Sequence, residues 1–330
     1  MRPLPANFSF LFIFATLVVS SISWGWERQR PTRQYDYRPN QFDQYKARQK
    51  LLQDSSSRKR ATHEIAKTDT GLQRPVESKK KGFGYQLGFS SKIYYTNNPL
   101  STESGLYKVS AGVWENSLNN NFLLGAYDLR GATFSPIIGL SYTNFTHFGH
   151  EFVKNMDFGS ISLNFAGIFS FGKGWSIRPS LGYTADLSLE ESMSRQYSQI
   201  SPSVALGKSF SWGKVTSFID WSVGYSFTDS PAQIITKDIL DRFETSLIWG
   251  INAPMGDFEF SPYIRLAFAD YSNQSKTDIS GNLGLELAYN FTDWMALKIY
   301  STLSTRNSSK EDMDFTRLDA GAGASLNARF

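Results

Sequence analysis

The chain has 330 residues, no cysteine, three histidines and a formal net charge of +4. The lack of cysteine excludes a disulfide scaffold, a thiolate metal site and a cysteine nucleophile. Hydrophobic residues make up 41% of the chain and aromatic residues 15%, but the mean hydropathy is only −0.33. This composition excludes a transporter built from membrane-spanning helices, and nothing in it calls for a metal or a cofactor.

The first segment is an uninterrupted apolar run at residues 8–19, which follows Arg2. A spanning helix needs about 20 apolar residues, and this run ends sooner, in small residues that lead to Gly25. The arrangement is typical of an export signal with a small-residue cleavage site. We therefore predict a cleaved signal peptide over residues 1–25, with an uncleaved anchor helix as the alternative.

The second segment, residues 26–82, contains 15 Lys and Arg against 7 Asp and Glu, whereas residues 83–330 contain 18 against 23. Almost no Val or Ile is present in it, so it has too little apolar area to offset the entropy of ordering. We expect a disordered basic spacer, either simply solvated or bound to anionic envelope polymers. Nucleic acid is a poor partner, because an exported protein rarely meets it.

From residue 83 onward, apolar and polar residues alternate. In residues 175–190 (WSIRPSLGYTADLSLE), every odd position carries an apolar side chain and no even position does. Successive side chains of a strand point to opposite faces, so this pattern predicts strands with one apolar face, and helical periodicity is absent. The alternation recurs at 214–228, 241–253, 257–271, 278–291 and 313–330.

The connections between these strands alternate between short and long. Short turns fall at 172–174, 211–213, 254–256 and 292–293, with longer polar segments between them. A soluble β-sandwich would turn the apolar faces inward, whereas a transmembrane barrel turns them toward lipid and has short turns at one end only. The predicted strands also exceed the roughly 5–6 residues common in soluble sheets. We therefore predict an all-β protein, a single antiparallel transmembrane β-barrel over residues 83–330.

Aromatic residues gather at both ends of the predicted strands, as expected for rings at a membrane interface. The set beside the short turns forms a predicted girdle: Phe171, Trp175, Phe210, Trp212, Phe258, Phe291 and Trp294. The set near the long loops comprises Tyr95, Tyr142, Tyr197, Phe227, Phe268 and Tyr271. Pro179, Pro202 and Pro262 fall on the outward face, where proline is awkward for a central strand unless bulges accommodate it.

The last segment, residues 317–330 (RLDAGAGASLNARF), alternates strictly and ends in Phe330. It resembles the final strand of Gram-negative outer-membrane β-barrel proteins, which commonly ends in an aromatic residue. Ala328 departs from the larger residue often found two places before the end. The resemblance implies an outer-membrane location, contact with outer-membrane lipid, a periplasmic position for the basic spacer, and recognition of Phe330 by the barrel-assembly machinery.

Twelve strands are predicted, and an even number returns both ends to the same side of the membrane. The segment 115–131 is long for an inner turn, so ten or fourteen strands are the alternatives. The predicted strands are 83–95, 105–114, 132–146, 157–171, 175–190, 196–210, 214–228, 241–253, 257–271, 278–291, 295–307 and 313–330.

The polar face of these strands is expected to line the lumen with charges of both signs. Its predicted members are Lys92, Lys108, Arg178, Asp186, Asp220, Arg242, Glu244, Glu259, Arg265, Glu286, Lys298, Arg317, Asp319 and Arg329. Eight strands are just filled by side chains and sixteen leave an aqueous channel. We expect a narrow passive pore for small polar solutes. A plugged barrel, or a structural or adhesive barrel that presents its outer loops, is the alternative.

His147 and His150 near an outer loop are weak catalytic candidates, because an activated nucleophile needs a base within hydrogen-bond reach. Outer-membrane phospholipases are the enzyme rival that this placement suggests. Their signature, a His followed two places on by Ser-Asn-Gly, is absent, since the sequence here is His-Phe-Gly-His. A third metal ligand is also lacking. We therefore expect no enzyme, with a lipid hydrolase as the alternative.

Overall fold

The computed structural model describes residues 83–99, 101, 109–149, 153, 156–189, 194–229, 240–310 and 313–329. The predicted signal peptide 1–25, the spacer 26–82 and the predicted site residues Lys108, His150 and Phe330 lie outside this part of the chain. Over the described residues, no helix has the length and apolar character needed to cross a membrane.

The described chain is almost entirely β-strand, with one short 3-10 turn at Gly172–Gly174. The strands are β1 (Gly84–Thr96), β2 (Ala111–Leu123), β3 (Tyr127–Leu129), β4 (Ala132–Gly149), β5 (Phe158–Phe171), β6 (Trp175–Ser188), β7 (Arg195–Trp212), β8 (Val215–Asp229), β9 (Arg242–Met255), β10 (Phe258–Phe260), β11 (Tyr263–Tyr271), β12 (Lys276–Asn290), β13 (Met295–Ser308) and β14 (Phe315–Arg329).

Twelve of these strands form a closed antiparallel ring. Each pairs with its neighbours in the order β1, β2, β4 to β9, β11 to β14, and β14 returns to pair with β1 through contacts such as Phe89 opposite Leu326. The remaining two are three-residue strands. β10 keeps the register of β11 against both β9 and β12, so β10 and β11 together make one ring strand. The predicted twelve-strand barrel is confirmed.

The predicted strand at 105–114 was misplaced, because β2 covers Ala111–Leu123 and β3 pairs with the start of β4. The Asn-rich sequence of β2 resembles a turn, which is why 115–131 was ambiguous. In the barrel the outward Asn120 accepts a 2.7 Å hydrogen bond from the hydroxyl of Tyr85. A polar side chain in the outward phase is thereby satisfied within the sheet.

The outward face is apolar and the inward face is polar, the reverse of a soluble sandwich. Leu266 is 53% exposed and Ile299 64% exposed on the outside, whereas the carboxylates Glu115 and Asp186 are 1% and 0% exposed inside. An apolar surface wrapped around a closed ring would be strongly unfavourable in water. The medium that matches this surface is lipid.

The outward prolines interrupt the ladder without shifting it. Among the described residues, the ladder between β5 and β6 skips the pair at Pro179 and then continues in the same register. The ladder between β7 and β8 does the same at Pro202. At Pro262 the carbonyl still accepts a 3.0 Å bond from the N–H of Ile251. The prolines therefore need no bulges, because each costs only its own missing N–H.

The two ends of the barrel differ. At the short-turn end, β7 joins β8 and β9 joins β10 through tight turns that place Gly213 at φ 62° and Gly256 at φ 66°, conformations that glycine adopts without strain. Both ends of the described barrel, Gly84 and Arg329, also lie here. The other ends of the strands, such as Thr96 of β1 and Asp229 of β8, lie at the opposite end, called here the long-loop end.

The predicted girdle residues lie beside the short turns, with Trp175 and Trp212 strongly exposed on the outside. The ammonium group of Lys208 lies 4.7 Å from the ring centre of Trp175, a combination suited to lipid head groups. The aromatic set at the long-loop end is divided. Tyr197 and Tyr271 are buried and face the lumen, so their expected place at the membrane interface was wrong.

Candidate transport lumen

The first charged cluster of the lumen is a buried ion pair that crosses a strand. Arg178 on β6 donates a 2.7 Å hydrogen bond to Asp220 on β8, passing over β7. The β7 residues opposite them are Ala205 and Gly207. A Cβ on Gly207 would lie 3.2 Å from the Asp220 carboxylate. Small residues on the intervening strand therefore make room for the pair.

A second cluster lies on β9 and β11, where two guanidinium groups share one carboxylate. Arg242 and Arg265 lie 3.3 Å and 3.1 Å from the two oxygens of Glu244. The three side chains together carry one net positive charge. Beside them Lys276 pairs with Asp278 at 3.0 Å, which leaves that neighbouring pair neutral.

A third cluster covers the wall formed by β12, β13, β14, β1 and β2. It consists of the pairs Lys92 with Glu115 at 3.7 Å, Lys298 with Glu286 at 3.3 Å and Arg317 with Asp319 at 3.1 Å. The inward rings of Tyr94 and Tyr300 meet edge to face beside them, with ring centres 6.0 Å apart. Charges of opposite sign are thus paired along the wall.

A polar cavity of about 270 Å³ lies between these walls. Arg242, Glu244 and Arg265 line one side of it. The other side carries hydroxyl and amide side chains of β4 to β7: Ser141, Thr143, Ser160, Ser162, Asn164, Ser180, Thr184, Gln199, Ser201 and Ser203. Facing hydroxyls on neighbouring strands bond to each other, as in Ser180 with Ser203 at 2.8 Å. Asp278 adds a second carboxylate to the lining. The arrangement offers hydrogen bonds to a small polar molecule, with charges of both signs nearby.

The lumen also contains apolar side chains, which a prediction based on charged residues does not include. Leu123, Ile137 and Ile168 form one buried cluster, and Phe218 packs on Tyr263 in another. All five lie toward the short-turn end of their strands. Each stands in the inward phase of its strand, so the alternation itself contained the signal. These side chains narrow the lumen below the polar cavity.

The remaining predicted site residues lie toward the ends of the barrel. Glu259 on β10 stands opposite Ala288, near the short-turn end, and Arg329 is the exposed last residue of β14. Arg317 also donates a 3.0 Å bond to the hydroxyl of Ser101, which ties the start of the first long loop to β14.

His147 takes part in fixing the next long loop. Its backbone N–H donates to Asp157 at 2.7 Å, and its ring Nδ1 lies 3.2 Å from the same carboxylate oxygen. These contacts join the end of β4 to the start of β5, a structural role for the histidine. Within the described part of the chain, no group of three His, Cys, Asp or Glu residues is placed to hold a metal ion.

No protein-family model and no curated protein matches this sequence. Among solved structures, the β-domain of the Bordetella autotransporter BrkA is 13% identical, with 74% of this chain and 99% of that chain covered and a TM-score of 0.39. An outer-membrane channel from Pseudomonas putida F1 is 11% identical, with 77% and 100% covered and a TM-score of 0.44. The KdgM porin in complex with oligogalacturonate is 10% identical, with 72% and 98% covered and a TM-score of 0.38. At such identities the likeness concerns the fold alone.

Proposed function

We propose that this chain, which has the fold of outer-membrane β-barrel proteins, lies in an outer membrane and gives small polar solutes a narrow passive path. The observation that carries the proposal is the polar cavity inside the ring. Its hydroxyl groups replace part of a solute's hydration, while the paired charges leave no strong field of one sign. The solutes expected are therefore small and polar, without strong selectivity for charge.

The apolar clusters set the size limit of this path. Leu123, Ile137 and Ile168 on one side, and Phe218 with Tyr263 on the other, reduce the space available near the short-turn end. An apolar constriction resists wetting and acts as a gate in other channels. We therefore expect low conductance with frequent closures rather than the steady current of a wide porin.

Single-channel recording of the purified full chain in planar bilayers tests the proposal. Small current steps are expected, and the ratio of anion to cation permeability falls when Arg265→Gln removes one of the two guanidinium groups beside Glu244. Arg195→Gln is the matched control, because that arginine is an exposed rim residue paired with Asp229. If the purified barrel gives no steps, the barrel is plugged and serves a structural or adhesive role.

The enzyme alternative has its own test. Vesicle phospholipid turnover in the unsubstituted chain and in the His147→Ala and His150→Ala variants distinguishes a lipid hydrolase from a barrel without catalysis. His147 at the end of β4 contacts Asp157 just before β5. We therefore expect His147→Ala to loosen the loop between these strands and to leave the rate of lipid turnover unchanged. Turnover that disappears in either variant would favour the enzyme.

Two proposals concern the ends of the chain. Phe330 is proposed as the residue read by the barrel-assembly machinery, and Phe330→Ser is expected to lower the amount of heat-modifiable barrel in the outer membrane. The basic segment 26–82 is proposed to bind anionic envelope polymers after removal of the signal peptide at 1–25. Co-sedimentation with purified cell-wall polymer, with and without 26–82, measures this.

A further inference from the structure

A lysine stands on the outward face of β7, where the other side chains are apolar or aromatic. Lys208 alternates there with Leu206 and Phe210 and is half-buried. Its ammonium group donates to the carbonyl oxygen of Lys173, in the turn between β5 and β6, and lies 4.7 Å from the ring centre of Trp175. An ammonium group has three N–H donors, so two remain for a ligand beside the indole ring.

The hairpins around Lys208 carry further positive charge. Lys173 and Lys214 are exposed at the tips of the hairpins β5–β6 and β7–β8, on either side of it. Within the described part of the chain, no carboxylate forms an ion pair with any of these three lysines. The described carboxylates of this rim lie on other hairpins: Asp128, Asp257, Glu259 and Asp293. The sector of the rim at β5 to β8 therefore attracts an anion.

An apolar groove lies on the same outer surface, over β4 to β8. Its volume is about 750 Å³, within the range of about 300–1,000 Å³ found for small-molecule pockets. Pro179 and Val204 face each other across β6 and β7 in its lining, as do Leu181 and Pro202. In a membrane this groove faces hydrocarbon, so an acyl chain can fill it without loss of apolar contact.

The strand register places the lysine and the groove within reach of one lipid molecule. Lys208 stands opposite Trp175, and Val204 stands opposite Pro179 on the same outward face. Four residues of β7 span about 13 Å along a strand, which a strand tilt of about 40° reduces to about 10 Å of depth. The hydrocarbon core is about 30 Å thick. The groove therefore lies within the leaflet at the short-turn end, below the head-group level of Lys208.

We propose that the barrel binds one anionic glycerophospholipid on its outer surface at the short-turn end. The phosphate group accepts hydrogen bonds from the ammonium group of Lys208, and one acyl chain lies in the groove beside Pro179 and Val204. A zwitterionic lipid binds less tightly, because its cationic group meets the lysines of this rim. The site lies outside the wall, so it does not depend on the proposed passage of solutes through the lumen.

Native mass spectrometry of the full chain, released from detergent micelles, tests the head group. The barrel is titrated with phosphatidylglycerol or phosphatidylcholine that carry the same acyl chains, and one phosphatidylglycerol is expected to be retained at the lower concentration. Lys208→Gln is expected to weaken phosphatidylglycerol binding about fivefold or more, the effect of one lysine at a lipid surface. Lys310→Gln is the matched control, because that exposed lysine follows β13 at the long-loop end.

Two outcomes would overturn the head-group assignment. Equal affinity for the two lipids in the unsubstituted chain would refute an anionic head group. Equal weakening in Lys208→Gln and Lys310→Gln would mean that the net charge of the barrel, rather than this site, attracts the lipid. Heat-modifiable gel migration shows for each variant that the barrel is folded before lipid is added.

The position of the acyl chain is tested by filling the groove. Val204→Trp places an indole in the groove, and Leu283→Trp, on the exposed outer face of β12, is the control. We expect the first variant to lose phosphatidylglycerol binding and the second to keep it. Unchanged binding in Val204→Trp would refute the groove as the acyl site. Lipid retention is measured without any current, so a barrel that gives no channel steps refutes the pore and leaves this result standing.

Discussion

Two ion pairs of equal length let the effect of burial be measured separately from geometry. Arg178 lies 2.7 Å from Asp220 with side chains 11% and 4% exposed, and Arg195 lies 2.7 Å from Asp229 with side chains 46% and 38% exposed. The first pair is inside the barrel and the second is at the rim. Removing one partner of the first breaks an ion pair between two buried groups.

The expected magnitudes follow from this difference. Asp220→Ala is expected to lower the free energy of unfolding by about 3–5 kcal/mol, because a buried guanidinium loses the carboxylate of its ion pair. Asp229→Ala is expected to cost only about 0–1 kcal/mol, since water solvates the remaining guanidinium. Urea unfolding of the barrel in lipid vesicles, followed by tryptophan fluorescence, measures both values.

A double substitution completes this test. Replacing both residues, as in Arg178→Met with Asp220→Leu, removes the ion pair as a whole and is expected to recover most of the loss. If Asp220→Ala and Asp229→Ala cost the same, the lumen around Arg178 is as wet as the rim. The interpretation of this pair as a buried lumen contact would then be wrong.

Three further substitutions test opposite faces of the same or facing strands. Phe218→Ala is expected to raise single-channel conductance by opening the apolar constriction, whereas Phe227→Ala, on the lipid face of the same strand, leaves it unchanged. Gly284→Val is expected to lower the unfolding free energy by about 1–3 kcal/mol, because the new side chain meets a tyrosine ring of β11. Gly281→Val is the control, since the nearest atom to a Cβ at that position is 3.4 Å away. Equal losses of stability in the two variants would contradict the predicted clash. Leu266→Arg is expected to cost about 2–4 kcal/mol in vesicle unfolding assays, and no loss would place that side chain in water.

Strand positions were predictable from sequence because an apolar residue at every second position indicates both a strand and the residues that face outward. Residues 175–190 and 278–291 show this, and the strands there are β6 and β12. The prediction failed where polar residues follow one another. The Asn-rich part of β2 has turn-like composition, and its membership in a strand depends on pairing with β1 and β4, which sequence spacing does not reveal.

The lumen was predictable in its charges but not in its partners. Alternation predicts that Arg178 and Asp220 share the inward side, but it does not predict their contact, which passes over an entire strand. Which small residues allow that contact depends on the register between β6, β7 and β8. Phe218 was overlooked for a different reason, because an apolar residue in the polar phase was not counted as part of the lumen.

The direction of the apolar face is the claim on which the account rests, and nitroxide labels placed one at a time at positions 282, 283, 285, 286 and 287 of β12 test it most directly. In reconstituted vesicles, labels at the odd positions are expected to collide often with oxygen and rarely with a water-soluble nickel complex. Labels at the even positions are expected to avoid oxygen-rich lipid. Odd positions shielded from both reagents would mean that they pack inside a protein core, which would contradict a transmembrane barrel.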